Sequence, residues 1–193
     1  MAGTETETES EATTDADEKI PSGVVETIFT TPEGSAPMEE VGEIEAVSRQ
    51  GLQGDRYMKG TGYYSGLDEC EVTFIEREAI TEIREEYDID LSDGRHRRNV
   101  VTSGVSVHDL LNAEFRVGDV LFEGTRPRPP CAHVEQVADE EGVSRALKNK
   151  RGGICASVVE DGTIHTGDEL AVLGDAEGGE GVADAIENRL VDQ

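Results

Sequence analysis

Short runs of β-branched residues separated by glycine turns set the pattern of this chain from about residue 24 to residue 173. Residues 24–30, VVETIFT, predict a strand that stops at Thr31-Pro32-Glu33-Gly34. Residues 41–47, VGEIEAV, alternate apolar and polar positions, the period of a half-buried strand. Residues 70–75 predict another strand, with Cys70, Val72 and Phe74 on one face. In residues 76–87 the period changes: Ala79, Ile80 and Ile83 recur at helical spacing among charges, which predicts a surface helix. A short strand at 99–102 and one or two helical turns at 106–111 follow. Residues 113–122 and 163–172 look alike, each with an extended run, a Gly-Asp turn and apolar alternation. Both predict strand–turn–strand elements. Between them lie a helix at about 144–149 and a strand at 154–159 that contains Cys155. Many short strands and few helices predict a mostly β fold. A β-barrel with a few short peripheral helices is favoured, since closure removes exposed edges.

The ends differ from the middle. Residues 1–20 are almost entirely Thr, Glu, Ser, Ala and Asp and predict a disordered acidic tail. Residues 21–175 form the barrel domain, and residues 176–193 an acidic, glycine-rich tail in which a short helix fits 182–190. At 193 residues, one domain with tails is the simplest division.

Charge sharpens this picture. Asp and Glu number 43 against 17 Lys and Arg, a net charge of −26, and Lys19, Lys59, Lys148 and Lys150 are the only lysines. Such repulsion opposes compaction at ordinary ionic strength, whereas molar salt shortens the Debye length to about 3 Å. The composition therefore points to a halophilic protein, and it argues against nucleic-acid partners, which need a basic footprint. There is no basic, then apolar leader and no apolar run of membrane-spanning length, so a cytoplasmic protein without membrane association is expected. Three cysteines without a CxxC suggest neither a disulfide framework nor a zinc site.

Candidate chemistry concentrates in Arg126-Pro127-Arg128-Pro129-Pro130-Cys131-Ala132-His133. Half of the six prolines lie here, so the backbone is stiff and delivers Cys131 to a fixed place. Neighbouring arginines favour the thiolate, the form that attacks electrophiles or binds soft metals. The alternative is a small buried apolar residue, the ordinary state of a free cysteine. Cys70 and Cys155, in apolar strands, read as core. Gly51-Leu52-Gln53-Gly54-Asp55-Arg56 is a tight turn presenting an acid and a base, and residues 60–66 form a flexible glycine-rich loop without the context of a phosphate-binding P-loop. Arg95-His96-Arg97-Arg98-Asn99 is the one dense basic cluster. It fits an anionic partner such as a phosphate, or else ion pairing with surface carboxylates.

Arg98-Asn99-Val100, the Gly118-Asp119 turn, Arg128-x-Pro130-Cys131 and Arg151-Gly152-Gly153-x-Cys155-Ala156, preceded by Gly51-x-x-Gly54-Asp55-Arg56, occur in a fixed order. This arrangement resembles the MOSC family, named for the C-terminal domain of molybdenum cofactor sulfurases. The likeness spans roughly residues 24–173. It implies a β-barrel with a cleft for the molybdenum cofactor, a molybdopterin bearing molybdenum. It also implies that Cys131 is the catalytic thiol and metal ligand, and that Arg98 and Asn99, the family's Arg-Asn element, are cofactor-binding residues. Arg56, Arg97, Arg98, Arg128 and Arg151 are then candidate anchors for the cofactor's phosphate. Family members either reduce N-hydroxylated compounds or handle sulfur destined for molybdenum. The expected activity is accordingly reduction of an N-hydroxylated small molecule. Sulfur transfer through a Cys131 persulfide and a non-catalytic cofactor-binding module are the alternatives. Without an aminotransferase-like, iron–sulfur or flavin portion, an external electron donor or sulfur donor protein is expected as partner.

Overall fold

The computed structural model describes residues 22–62 and 70–175. The two acidic tails and most of the glycine-rich loop lie outside the described residues, as does the helix suggested at 182–190. The first strand, β1 (Ser22–Thr30), is followed by the short strands β2 (Glu39–Val41), β3 (Glu43–Val47) and β4 (Gly51–Leu52). Next come β5 (Val72–Glu76), helix α1 (Arg77–Tyr87) and β6 (Val100–Ser103). A 3₁₀ turn (Val107–Leu110) leads to β7 (Ala113–Val117) and β8 (Val120–Pro127). Helices α2 (Ala132–Ala138) and α3 (Val143–Ala146) precede β9 (Ile154–Glu160), β10 (Gly162–His165) and β11 (Glu169–Asp175).

Seven strands close on themselves in the order β1-β11-β7-β8-β9-β5-β6, with β6 returning to β1. The expectation of a mostly β barrel holds. All neighbours in the ring are antiparallel except β5 and β6, which run parallel because α1 carries the chain across between them. Phe74, Phe115 and Phe122 meet inside the barrel with ring centroids 5.2–5.6 Å apart. On β5, Phe74 points into this core, whereas Ile75 packs outside with Ile80, Ile83, Leu91, Val134 and Leu147. Both faces of β5 are thus covered, which explains its nearly unbroken apolar run. The outer cluster fixes α1, α2 and α3 along one side of the barrel, where the candidate chemistry is found.

Local pattern and tertiary pairing part company at several places. The alternation at 41–47 is broken at Gly42: β2 pairs with β1, while β3 joins a separate sheet in the order β10-β3-β4. Of the two similar Gly-Asp segments, only β7–β8 is a hairpin. On the two sides of the second turn β10 pairs with β3 and β11 with β1 and β7, so those strands belong to different sheets. Helix α2 gave no clear periodic signal because it has only seven residues. Helix α3 ends earlier than expected, and Asn149 and Lys150 adopt left-handed φ of 58° and 68°.

Cys70 and Cys155 form a disulfide, which corrects the expectation that the three cysteines would stay unpaired and that these two are simply core thiols. Cys70 lies just before β5, and pairing of β5 with β9 sets Thr73 opposite Cys155. The two Cα atoms are 5.4 Å apart although 85 positions separate them in sequence, so spacing along the chain carried no sign of the bond. A bridge closing so long a loop restricts the unfolded ensemble by about 2–4 kcal/mol. Dithiothreitol is expected to lower Tm by roughly 5–15 °C in a melt followed by circular dichroism. An unchanged Tm would show that the bridge does not constrain the chain.

Candidate functional site

The site begins with the Gly51–Arg56 turn. Gly51 has φ of +97°, and a Cβ there would overlap the Glu71 carbonyl, so the turn requires glycine. It places the Asp55 carboxylate, fully buried, among several donors. Asp55 Oδ2 accepts from the Thr31 amide at 3.2 Å, Asn99 Nδ2 at 3.0 Å and Arg56 Nη1 at 3.1 Å, while Oδ1 accepts from the Tyr57 amide at 3.1 Å. Asn99 is equally occupied. Its Oδ1 accepts from the Thr73 amide and hydroxyl, and its Nδ2 also donates to the Phe29 carbonyl. It therefore ties β1, β5 and the Asp55 turn together and does not line the cleft described below.

The basic cluster divides by direction. Arg95 turns outward to Asp93 and Glu140, at 2.8 and 2.7 Å. Arg97, at a left-handed φ of 64°, latches the 33–36 loop by donating to the carbonyls of Ala36 and Gly34. Arg98 donates from Nε to the Gly152 carbonyl at 2.6 Å, from Nη1 to the His96 carbonyl at 2.7 Å and from Nη2 to the Arg128 carbonyl at 3.4 Å. His96 accepts the Arg98 amide at Nδ1, which leaves its proton on Nε2, a buried atom without a hydrogen-bond partner among the described residues. Burial, reinforced by Arg98 and Arg56, pushes the His96 pKa down to about 3, so the ring is neutral.

One cleft joins these elements to the proline-rich segment. Arg56, Tyr57, Arg97, Arg98, Arg128 and Cys131 are among its lining residues. Cys131 is half-buried at the N-cap of α2, held by the Pro129-Pro130 approach and by the Val134 amide donating to its carbonyl at 3.2 Å. The guanidinium of Arg56 lies 4.4 Å from the centre of the Tyr57 ring, and Arg128 Nη2 donates to the Tyr57 hydroxyl at 3.1 Å. Among the described residues no carboxylate pairs with Arg97 or Arg98. Burial first, and then the neighbouring arginines, lower the pKa of Arg97 to about 10 and that of Arg98 to about 9. Buried guanidinium groups without a countercharge are costly, and an anion in the cleft would relieve that cost.

Four of the five arginines proposed from the sequence thus converge at Cys131. Arg151 is placed elsewhere: its Nη1 lies 2.5 Å from Glu86 and its Nη2 donates to the Tyr87 hydroxyl at 3.2 Å. Tyr57, which follows the Asp55-Arg56 pair directly, and His133, two residues beyond Cys131, also line the cleft but were not marked as site residues. Their proximity to the motifs was the available signal. Among the described residues no group of three His, Cys, Asp or Glu is arranged to hold a metal ion.

A closed barrel presenting one free thiol in an arginine-lined cleft defines the class of domain. The model of the MOSC domain matches residues 61–171, more than half of the chain, and the protein belongs to that family, which is associated with molybdenum cofactor binding. The fold is similar to that of the YuaD protein of Bacillus subtilis, with a TM-score of 0.67 and 16% identity over 79% of this chain and 96% of that one. It is also similar to YiiM of Geobacillus stearothermophilus, with a TM-score of 0.61 and 16% identity over 81% and 77% of the two chains. For YiiM of Escherichia coli the TM-score is 0.59 at 20% identity, covering 81% and 70%. A comparison with curated proteins finds no match. Among the described residues no helix is long and apolar enough to cross a membrane.

Proposed function

We propose that this chain binds the molybdenum cofactor in the Cys131 cleft and reduces N-hydroxylated small molecules, with Cys131 as the protein ligand to molybdenum. The observation that carries the reading is the pairing of one free thiol with buried, uncompensated guanidinium groups. A thiolate suits a soft metal, and the cationic wall suits a phosphate-bearing ligand. Tyr57, Arg128 and His133, all half-buried at the cleft, would contact the ligand directly. The N–H groups of Arg97 and Arg98 are largely committed to carbonyls, so these two would act mainly through their charge. Arg98→Ala would therefore unpair buried carbonyls and weaken the fold as well as the site.

When bound, the cofactor would supply the redox-active metal. Reduction of N–OH to N–H and water takes two electrons and two protons, so an external electron donor remains part of the proposal. Protein isolated from molybdenum-sufficient cells is expected to contain molybdenum and pterin in near-equal amounts. Arg128→Ala should lower cofactor affinity by about tenfold or more in a direct titration, the cost of one charge-assisted contact. Metal-free protein carrying sulfane sulfur on Cys131 would instead favour sulfur transfer.

A further inference from the structure

A second cleft opens on the far side of the segment that carries Cys131. Its cavity volume is about 440 Å³, within the range of small-molecule sites. Arg128, Pro129 and Pro130 face both clefts and form the partition between them. The wall is closely built. A Cβ on Gly152 would overlap the Arg128 carbonyl, and one on Gly153 would overlap the Phe74 carbonyl. Gly152 thus lets the chain run flush behind the proline segment and Gly153 lets it approach β5, and the Arg128 amide donates to the Gly153 carbonyl at 2.8 Å. Leu111 and the rings of Pro127, Pro129 and Pro130 give this cleft apolar sides.

Its charge runs against that of the whole protein. The chain has only four lysines and a net charge of −26, yet exposed Lys148 and Lys150 both stand at this rim. Among the described residues neither lysine pairs with a carboxylate, and Asp109 is the one acid lining the cleft. Lys150 and the preceding Asn149 are held at left-handed φ, a costly conformation for residues with side chains. The Arg98 guanidinium, bonded to the Gly152 and Arg128 carbonyls, places a further positive charge inside the wall. Half-buried His108, whose pKa burial lowers, adds none at neutral pH.

We infer that this cleft is a second ligand site, for a small aromatic carboxylate whose ring lies against the proline rings and Leu111 and whose charge meets Lys148 and Lys150. The apolar walls account for the flat body, and the paired lysines for the anion. The inference stands independently of cofactor binding in the Cys131 cleft.

The probe for the test is 2-naphthoate, titrated calorimetrically into cofactor-free protein at one potassium chloride concentration at which the chain is folded, with neutral 2-naphthamide as control. Saturable one-to-one binding of 2-naphthoate is expected, with 2-naphthamide at least tenfold weaker. The double variant Lys148→Glu/Lys150→Glu, altered only at exposed positions, should keep its Tm and lose at least tenfold in 2-naphthoate affinity. Cys131→Ser should bind the probe as the parent does. Absence of saturable binding, equal binding of the amide or an unaffected double variant would overturn the inference. So would loss of probe binding in Cys131→Ser, which would place the probe in the other cleft. The double variant should also retain the parent's molybdopterin affinity, and a tenfold fall there would assign this cleft to the cofactor instead.

Discussion

Asp55→Ala is expected to destabilise the fold by about 3–5 kcal/mol, the scale for stranding the partners of a buried charge. The carboxylate is fully buried and holds the Thr31 and Tyr57 amides, the Asn99 amide group and the Arg56 guanidinium. Truncation leaves these donors unmatched and removes the only carboxylate bonded to Arg56 among the described residues. Domains of this size are stable by about 5–15 kcal/mol, so the loss is a large fraction of the total. Urea unfolding of parent and variant at the same potassium chloride concentration measures it. Asp55→Asn keeps the shape and one acceptor and should lie between the two. A loss below about 1 kcal/mol for Asp55→Ala would mean that this network does not organise the turn. The same network sets the position of Arg56 and Tyr57 at the cleft, so partial unfolding here should appear first as weakened ligand binding.

Cys131→Ser is expected to have the opposite profile: little change in stability and a severe loss of metal. Cys131 is half-buried, caps α2 through backbone conformation and makes no side-chain capping bond, so serine fits without disturbing the core. A hydroxyl is a harder, far less acidic ligand than a thiol. Losing an outer partner of a metal ligand costs roughly 10–100-fold in affinity, and losing the ligand itself should cost at least about a hundredfold. Molybdenum per protein, measured after equilibration with limiting cofactor, reads this directly. A variant that retains the parent's molybdenum would remove Cys131 from the proposal. Alkylation gives a second readout. With Cys70 and Cys155 joined, iodoacetamide should modify the folded protein once, at Cys131, and Cys131→Ser not at all.

The contrast between these two variants shows where local sequence was informative. Asp55 and Arg56 were visible as a turn between an early strand and a glycine-rich stretch, but nothing nearby showed that the carboxylate is buried against Asn99, 44 positions away. Arg97 and Arg98 were legible as an unusual concentration of charge. The bonds of Arg97 to the Gly34 carbonyl and of Arg98 to the Gly152 carbonyl were not, because those partners lie 63 and 54 positions away. Arg151 matched the family pattern as well as the others did, yet it faces Glu86 and Tyr87 of α1.

The sequence by itself determined the β-rich character, the β7–β8 hairpin at Gly118-Asp119, the helix after β5 and the rigid approach to Cys131. These depend on period, turn chemistry and the fixed φ of proline, all of which act over a few residues. Only the tertiary structure decided that Cys70 meets Cys155, that β10 and β11 separate into different sheets, and which arginines share the cleft with Cys131. Each of those outcomes follows from closure of the barrel. Closure brings together positions tens of residues apart, and the burial gained by many strands at once, rather than any local preference, selects the pairing.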